Sequence, residues 1–177
     1  MKYVELYEKN AKKYQNRPQL KKAIILFNQY LPLLFLVFYA GFFAYAVFSD
    51  IPLETLKEDF PTFVFVPLAS LAIVSALRLL IARPRPYCEE GANITPMVKK
   101  KSGKYTSCPS RHMACATAIA LAFIPFSLPI SFFLLIASIA LGYLRFTVGV
   151  HYISDLIAGG CIPFVLYVFM IALKLFM

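Results

Sequence analysis

The stretch PSRHMACATAIALAFI, residues 109–124, decides how the chain folds. It joins a Pro-Ser-Arg-His tetrad to an apolar run, residues 111–124, which as a helix reaches only about 21 Å at 1.5 Å per residue. A bilayer hydrocarbon core is about 30 Å thick, so one end of this segment must lie below the membrane surface. The end carrying Ser110, Arg111 and His112 is expected to be the sunken one. Ionisable groups at that depth are costly and mark function by default.

Four longer apolar segments surround it, at 23–48, 61–82, 129–148 and 152–173. Pro32, near the start of the first, predicts a kink, and Pro61 suits the first turn of the second. The last contains Gly159-Gly160 and Pro163, small and helix-bending residues suited to close packing in membranes. Composition agrees: the 177 residues are 60% hydrophobic and 15% charged, with a mean hydropathy of +0.69, where a soluble domain carries about 25% charged residues. The expected fold is all-α, a polytopic membrane helical bundle of about five transmembrane helices over 23–177. It is preceded by an N-terminal basic segment, 1–22. Within that segment, residues 2–16 read as an interfacial amphipathic helix lying on the membrane: Val4, Leu6, Tyr7, Ala11 and Tyr14 share one side, and Lys2, Lys9, Lys12 and Lys13 supply charge. The first 20 residues lack an apolar h-region, so no cleavable signal peptide is expected. With no tryptophan, any interfacial aromatic belt must rely on the 11 tyrosines.

Counting five crossings puts both ends of the long loop 83–109 on the same side as the turn at 145–151. That side holds all the Lys and Arg of the chain except Lys57 and Lys174. The excess survives removal of Arg78, Arg85, Arg111 and Arg145 as anion ligands, and the positive-inside rule then places this face in the cytosol. The loop 49–60, with Asp50, Glu54, Glu58 and Asp59, is expected opposite. Cys115 and Cys161 fall in apolar segments and read as small core residues. Cys88 and Cys108 lie in the long loop, as two free thiols or, in an oxidising compartment, as a disulfide.

Three stretches share the expected charged face: Arg78-x6-Arg85-Pro86, Pro109-Ser110-Arg111-His112, and Arg145-x5-His151-x3-Asp155. On a helix, the i, i+4 spacing sets Asp155 beside His151, where a carboxylate orients one imidazole nitrogen and makes the other more basic. His151 is then a credible nucleophile toward phosphorus, although a purely structural His–Asp pair fits the spacing equally well. Ser110 reads as a helix N-cap that leaves backbone N–H groups for an anion. His112 reads as a general acid or as an interfacial histidine with no role. Arg78, Arg85 and Arg145 have the fork geometry that matches phosphate. Pro84 and Pro86 end the second helix and turn Arg85 back, while Arg83 and Lys99–Lys101 read as solvated or headgroup contacts.

Taken together, the stretches resemble the motif set of the type-2 phosphatidic acid phosphatase superfamily: Lys-x6-Arg-Pro, Pro-Ser-Gly-His and Ser-Arg-x5-His-x3-Asp. The likeness covers residues 78–155 with order and spacing kept. It implies His151 as nucleophile, Asp155 as its partner and His112 as general acid, with Arg78, Arg85, Ser110, Arg111 and Arg145 on the phosphate. It implies a lipid phosphate substrate and the bilayer as partners, with no nucleic acid, cofactor or metal. Three positions depart from the pattern: Arg78 stands for lysine, Arg111 for glycine and Leu144 for serine. Many bacterial members present their site outside the cytoplasm, whereas the charge count here points inside.

The expected activity is hydrolysis of the terminal phosphate of a lipid phosphate or pyrophosphate through a phosphohistidine. Candidate substrates are undecaprenyl pyrophosphate, phosphatidylglycerophosphate and phosphatidic acid. A small membrane transporter or anion-binding protein without chemistry, and a silent scaffold, are the alternatives. Vanadate haloperoxidases share the motifs, but they are soluble, which this composition disfavours. Monomer and dimer both remain open.

Overall fold

The computed structural model describes residues 2–48, 57–88, 94–98 and 106–176; Asp50, Glu54 and Lys99–Lys101 lie outside them. Six α-helices carry the described chain: α1 Lys2–Gln15, α2 Pro18–Phe48, α3 Phe60–Ile81, α4 Arg111–Ala122, α5 Leu128–Thr147 and α6 Ile153–Phe176, with a 3-10 turn at Pro86–Cys88. Four of them, α2, α3, α5 and α6, are long and apolar enough to cross a membrane, and the chain is a multi-pass membrane protein. The outward side chains on these helices are apolar and exposed, among them Leu36, Leu80, Phe132, Ile139 and Val165, as contact with lipid requires.

The short segment forms α4, whose 12 residues span about 18 Å. It is the centre of the bundle rather than a lipid-facing span. Ala114, Ala116, Ala118, Ala120 and Ala122 are buried, and α3, α5 and α6 all pack on it. Small side chains permit that close approach without a hydrophobic driving force between helices. Below it lies an aromatic plug. Phe63 is fully buried, stacked on Tyr39 at 4.5 Å and edge-on to Phe123 and Phe126 at 5.5 and 5.6 Å. Such pairs contribute about 0.5–1.5 kcal/mol each beyond their burial. Phe63 is some 15 residues, about 22 Å of helix, from Arg78, so the plug and the charged end of α3 are opposite ends of one bundle. At the plug end Lys174 Nζ meets Asp59 Oδ1 at 2.5 Å, which pairs two residues expected on the face away from the motifs.

Helix α2 runs through Pro32 and begins at Pro18, upstream of the expected residue 23; proline is well suited to a first turn. Helix α3 stops at Ala82, whose φ of 45° closes the helix with its N–H on the Arg78 carbonyl, and Pro84 prevents continuation. Helix α5 is capped by Ser127, which accepts from the Ile130 N–H at 3.5 Å.

Helix α1 forms as expected, but its tyrosine side is docked on protein rather than laid bare to lipid. Tyr3, Tyr7, Asn10 and Tyr14 make a stripe down one side. Tyr3 donates to the His151 carbonyl at 3.1 Å, Tyr7 to the Thr95 carbonyl at 2.9 Å and Asn10 Nδ2 to Thr147 Oγ1 at 3.1 Å. Tyr14 and Tyr143 share a hydroxyl contact at 3.0 Å. The tips of these side chains need hydrogen-bond partners once their rings are buried, and they find them on α5, at Thr95 and in the loop 148–152. Gly149, at φ 79°, lets the loop pass beneath Tyr7, whose ring would stand 2.8 Å from any added Cβ. Leu6, Lys9, Lys12 and Lys13 stay exposed.

Candidate active site

The three charged stretches meet. Arg78, Arg85, Arg111, His112, Arg145 and His151 line one cavity of about 650 Å³, together with Asn28, Gln29 and Pro32 of α2. Ser110 and Asp155 are fully buried and hold the stretches to each other. The Ser110 N–H donates to the Asp155 carbonyl at 2.9 Å. Arg78 Nη1 donates to the Pro109 carbonyl at 3.2 Å, and Nη2 to the Thr106 carbonyl. Arg85 Nη1 reaches the Val150 carbonyl at 3.4 Å. Gly159 makes the closure possible: a Cβ there would lie 2.5 Å from the Ser110 carbonyl oxygen.

The cavity is electropositive by construction. Among the described residues its lining holds four arginines and two histidines and no carboxylate. Arg78, Arg85 and Arg145 are only 5–7% exposed, and burying such charge is unfavourable unless a counter-charge arrives. Arg145 Nε and Ser110 Oγ are buried without hydrogen-bond partners among the described residues. Ser110 caps α4 with extended backbone, yet its side chain makes no capping bond, so the first N–H groups of α4 and the hydroxyl remain available to an anion. Among the described residues no three His, Cys, Asp or Glu side chains come together as a metal site would need.

His151 lies in the loop before α6 and Asp155 in its first turn. Nδ1 and Oδ2 stand 3.5 Å apart, close enough for charge attraction, while Nδ1 completes no hydrogen bond. The carboxylate is instead engaged by three donors: Ser107 Oγ at 2.5 Å and the Tyr152 N–H at 3.1 Å on Oδ2, and Arg83 Nη1 at 2.9 Å on Oδ1. Burial pushes the His151 imidazole below the usual histidine range, with Asp155 opposing and Arg85 and Arg145 adding to the fall. The ring is therefore neutral at neutral pH, with a lone pair free.

Four residues of this region were not anticipated as site residues. Arg83, expected to be solvated, donates to Ser154 Oγ at 2.7 Å as well as to Asp155, and lies 3.9 Å over the Tyr152 ring. Arg85, on the other side of Pro84, reaches the Val150 carbonyl instead. Ser107 lies in a loop stretch that carries no local signal. Asn28 and Gln29 sit in an otherwise apolar span, and their polarity was the signal available. Leu144, at the position where the resemblance expects serine, packs with Tyr7, Val148 and Val150 under α1. Cys88 and Cys108 are free thiols.

A second, apolar groove of about 440 Å³ adjoins the cavity. Pro32, Arg111 and His112 line both, and Phe35, Leu36 and Ile119 continue the groove along the bundle.

A family model described as PAP2 superfamily matches residues 62–175. The crystal structure of Aquifex aeolicus LpxE is similar over 96% of this chain and 94% of that one, at 21% identity and a TM-score of 0.69. The first transmembrane PAP2-type phosphatidylglycerolphosphate phosphatase from Bacillus subtilis is similar over 97% of this chain and 84% of that one, at 18% identity and a TM-score of 0.66. At these identities the likeness is one of fold. No curated protein sequence matches the chain.

Proposed function

The chain belongs to the PAP2 superfamily, and from that premise we propose that it is a membrane lipid phosphatase working through a phosphohistidine. One observation carries the reading: a cavity lined by four arginines and two histidines opens directly onto an apolar groove between helices. The phosphate sits among Arg78, Arg85 and Arg145, with the Ser110 hydroxyl and the α4 N-terminus beside it, while the tail lies in the groove. The neutral His151 nitrogen attacks phosphorus, the bond to the leaving oxygen breaks, and His112 gives that oxygen its proton. Water then attacks the phosphohistidine, releasing inorganic phosphate and restoring His151. The arginine forks stabilise charge on the equatorial oxygens as it develops.

A panel of lipid phosphates and pyrophosphates, assayed with the purified full chain for phosphate release, tests this. Hydrolysis inhibited by vanadate is expected, since vanadate mimics the five-coordinate phosphorus. Binding of these lipids without any phosphate release would favour a transporter and overturn the enzyme.

The site faces the cytosol in this reading, supported by the Lys and Arg excess on the motif side. Cys88 is the better reporter of the two loop thiols, because burial raises the Cys108 thiol and leaves it less reactive thiolate. An impermeant maleimide is expected to label Cys88 only after cells are permeabilised. Labelling in intact cells would put the cavity outside.

A further inference from the structure

We propose that Asn28 and Gln29 recognise a hydroxyl group on the leaving alcohol, and so select which lipid phosphate this cavity hydrolyses. The inference rests on the phosphatase reading above and adds the substrate class.

Asn28 is 5% exposed, and its Oδ1 is buried with no hydrogen-bond partner among the described residues. Pro32, four residues on, has no N–H to give the Asn28 carbonyl. Both residues line the cavity, with Gln29 exposed beside them. Helix α2 therefore brings acceptor oxygens to a cavity whose other polar side chains, among the described residues, are four arginines and two histidines.

A buried acceptor without a partner in an apolar span is unfavourable, and it calls for a group that completes it. Arg78 is already engaged by the Thr106 and Pro109 carbonyls. A doubly ionised phosphate has only acceptors, so the phosphate itself does not satisfy Asn28. The part of the substrate that can is the alcohol beyond the scissile bond, and only where it carries a free hydroxyl. The leaving glycerol of phosphatidylglycerophosphate has one. The diacylglycerol of phosphatidic acid and the prenyl phosphate left by an isoprenoid pyrophosphate do not.

The test compares phosphatidylglycerophosphate with phosphatidic acid of the same acyl chains, using the purified full chain. The wild type is expected to favour the first in kcat/KM by about tenfold or more, the scale of one or two hydrogen bonds to a matched donor. Asn28→Leu, and the less disruptive Asn28→Ser, should bring that ratio toward one. Gln29→Leu at the exposed rim should shift it in the same direction, which keeps the question open to decision if Asn28 variants fail to fold. A wild-type ratio near one overturns the inference, as do variants that lower both substrates in proportion, the signature of a structural role. Hydrolysis of neither lipid also overturns the inference, whereas the phosphatase reading beneath it falls only if the isoprenoid pyrophosphates are left intact as well.

Discussion

Replacing His151 with alanine is expected to lower phosphate release by roughly 10³–10⁶-fold, the range for deleting a nucleophile that acts as part of a unit. The fold should persist, because what ties this loop down are backbone groups. Tyr3 donates to the His151 carbonyl and Arg85 to the Val150 carbonyl, and alanine keeps both acceptors. The arginines also remain, so vanadate or substrate should still bind while turnover stops. A covalent phosphoryl label on the wild type, absent from His151→Ala, identifies the intermediate. Retained turnover would sink the nucleophile assignment. The protonation state can be followed directly by titrating ¹⁵N-labelled histidine, with the His151 signal assigned by its loss in the variant. Since burial disfavours the imidazolium, its midpoint is expected below the ordinary 6.5, which means the nucleophile stays unprotonated further into acid. A midpoint above 6.5 would mean that Asp155 outweighs burial and the neighbouring arginines.

Much of this site was legible because charge at membrane depth has few inexpensive explanations. Arg78, Arg145 and both histidines stand out against apolar neighbours, and the count of crossings alone brings their stretches to one face. The short 111–124 run also told its own story, since a segment too short to span must be enclosed. What the sequence did not reveal is which partner each charge takes. Arg83 and Arg85 differ only in their place around Pro84, yet one grips Asp155 and the other the Val150 carbonyl. Spacing suggested that His151 and Asp155 share a helix face, but α6 starts at Ile153, and the pair meets across a helix start. There Asp155 reaches back to the N–H of Tyr152, as the acidic half of a capping box does. The tyrosines of α1 looked like an interfacial stripe because their hydroxyls are invisible to apolar periodicity; only the loop they cover shows that they dock.

Asp155→Asn is expected to lower kcat by roughly 10²–10⁴-fold, the range seen when the orienting carboxylate of a catalytic histidine is neutralised. The size of the loss follows from where its oxygens are spent. Ser107, Tyr152 and Arg83 all donate to this one carboxylate, which is fully buried. An amide in its place must turn an NH₂ toward at least one of those donors, so the start of α6 and the 107–110 segment shift together, and His151 with them. The lost charge-assisted bonds should also lower stability by about 1–3 kcal/mol, visible in thermal unfolding. Arg83→Ala separates the two effects. Arg83 is 36% exposed, so its ion pair contributes little to stability, and its removal leaves Ser107 and the Tyr152 N–H in place. It should reduce kcat about tenfold or less, with KM and melting temperature nearly unchanged. If Asp155 positions the histidine through this shared set of donors, the double variant Arg83→Ala, Asp155→Asn will be no worse than Asp155→Asn alone. Multiplying losses would show that Arg83 acts on the substrate by a separate route, as a fifth phosphate-directed guanidinium rather than as the clamp on Asp155.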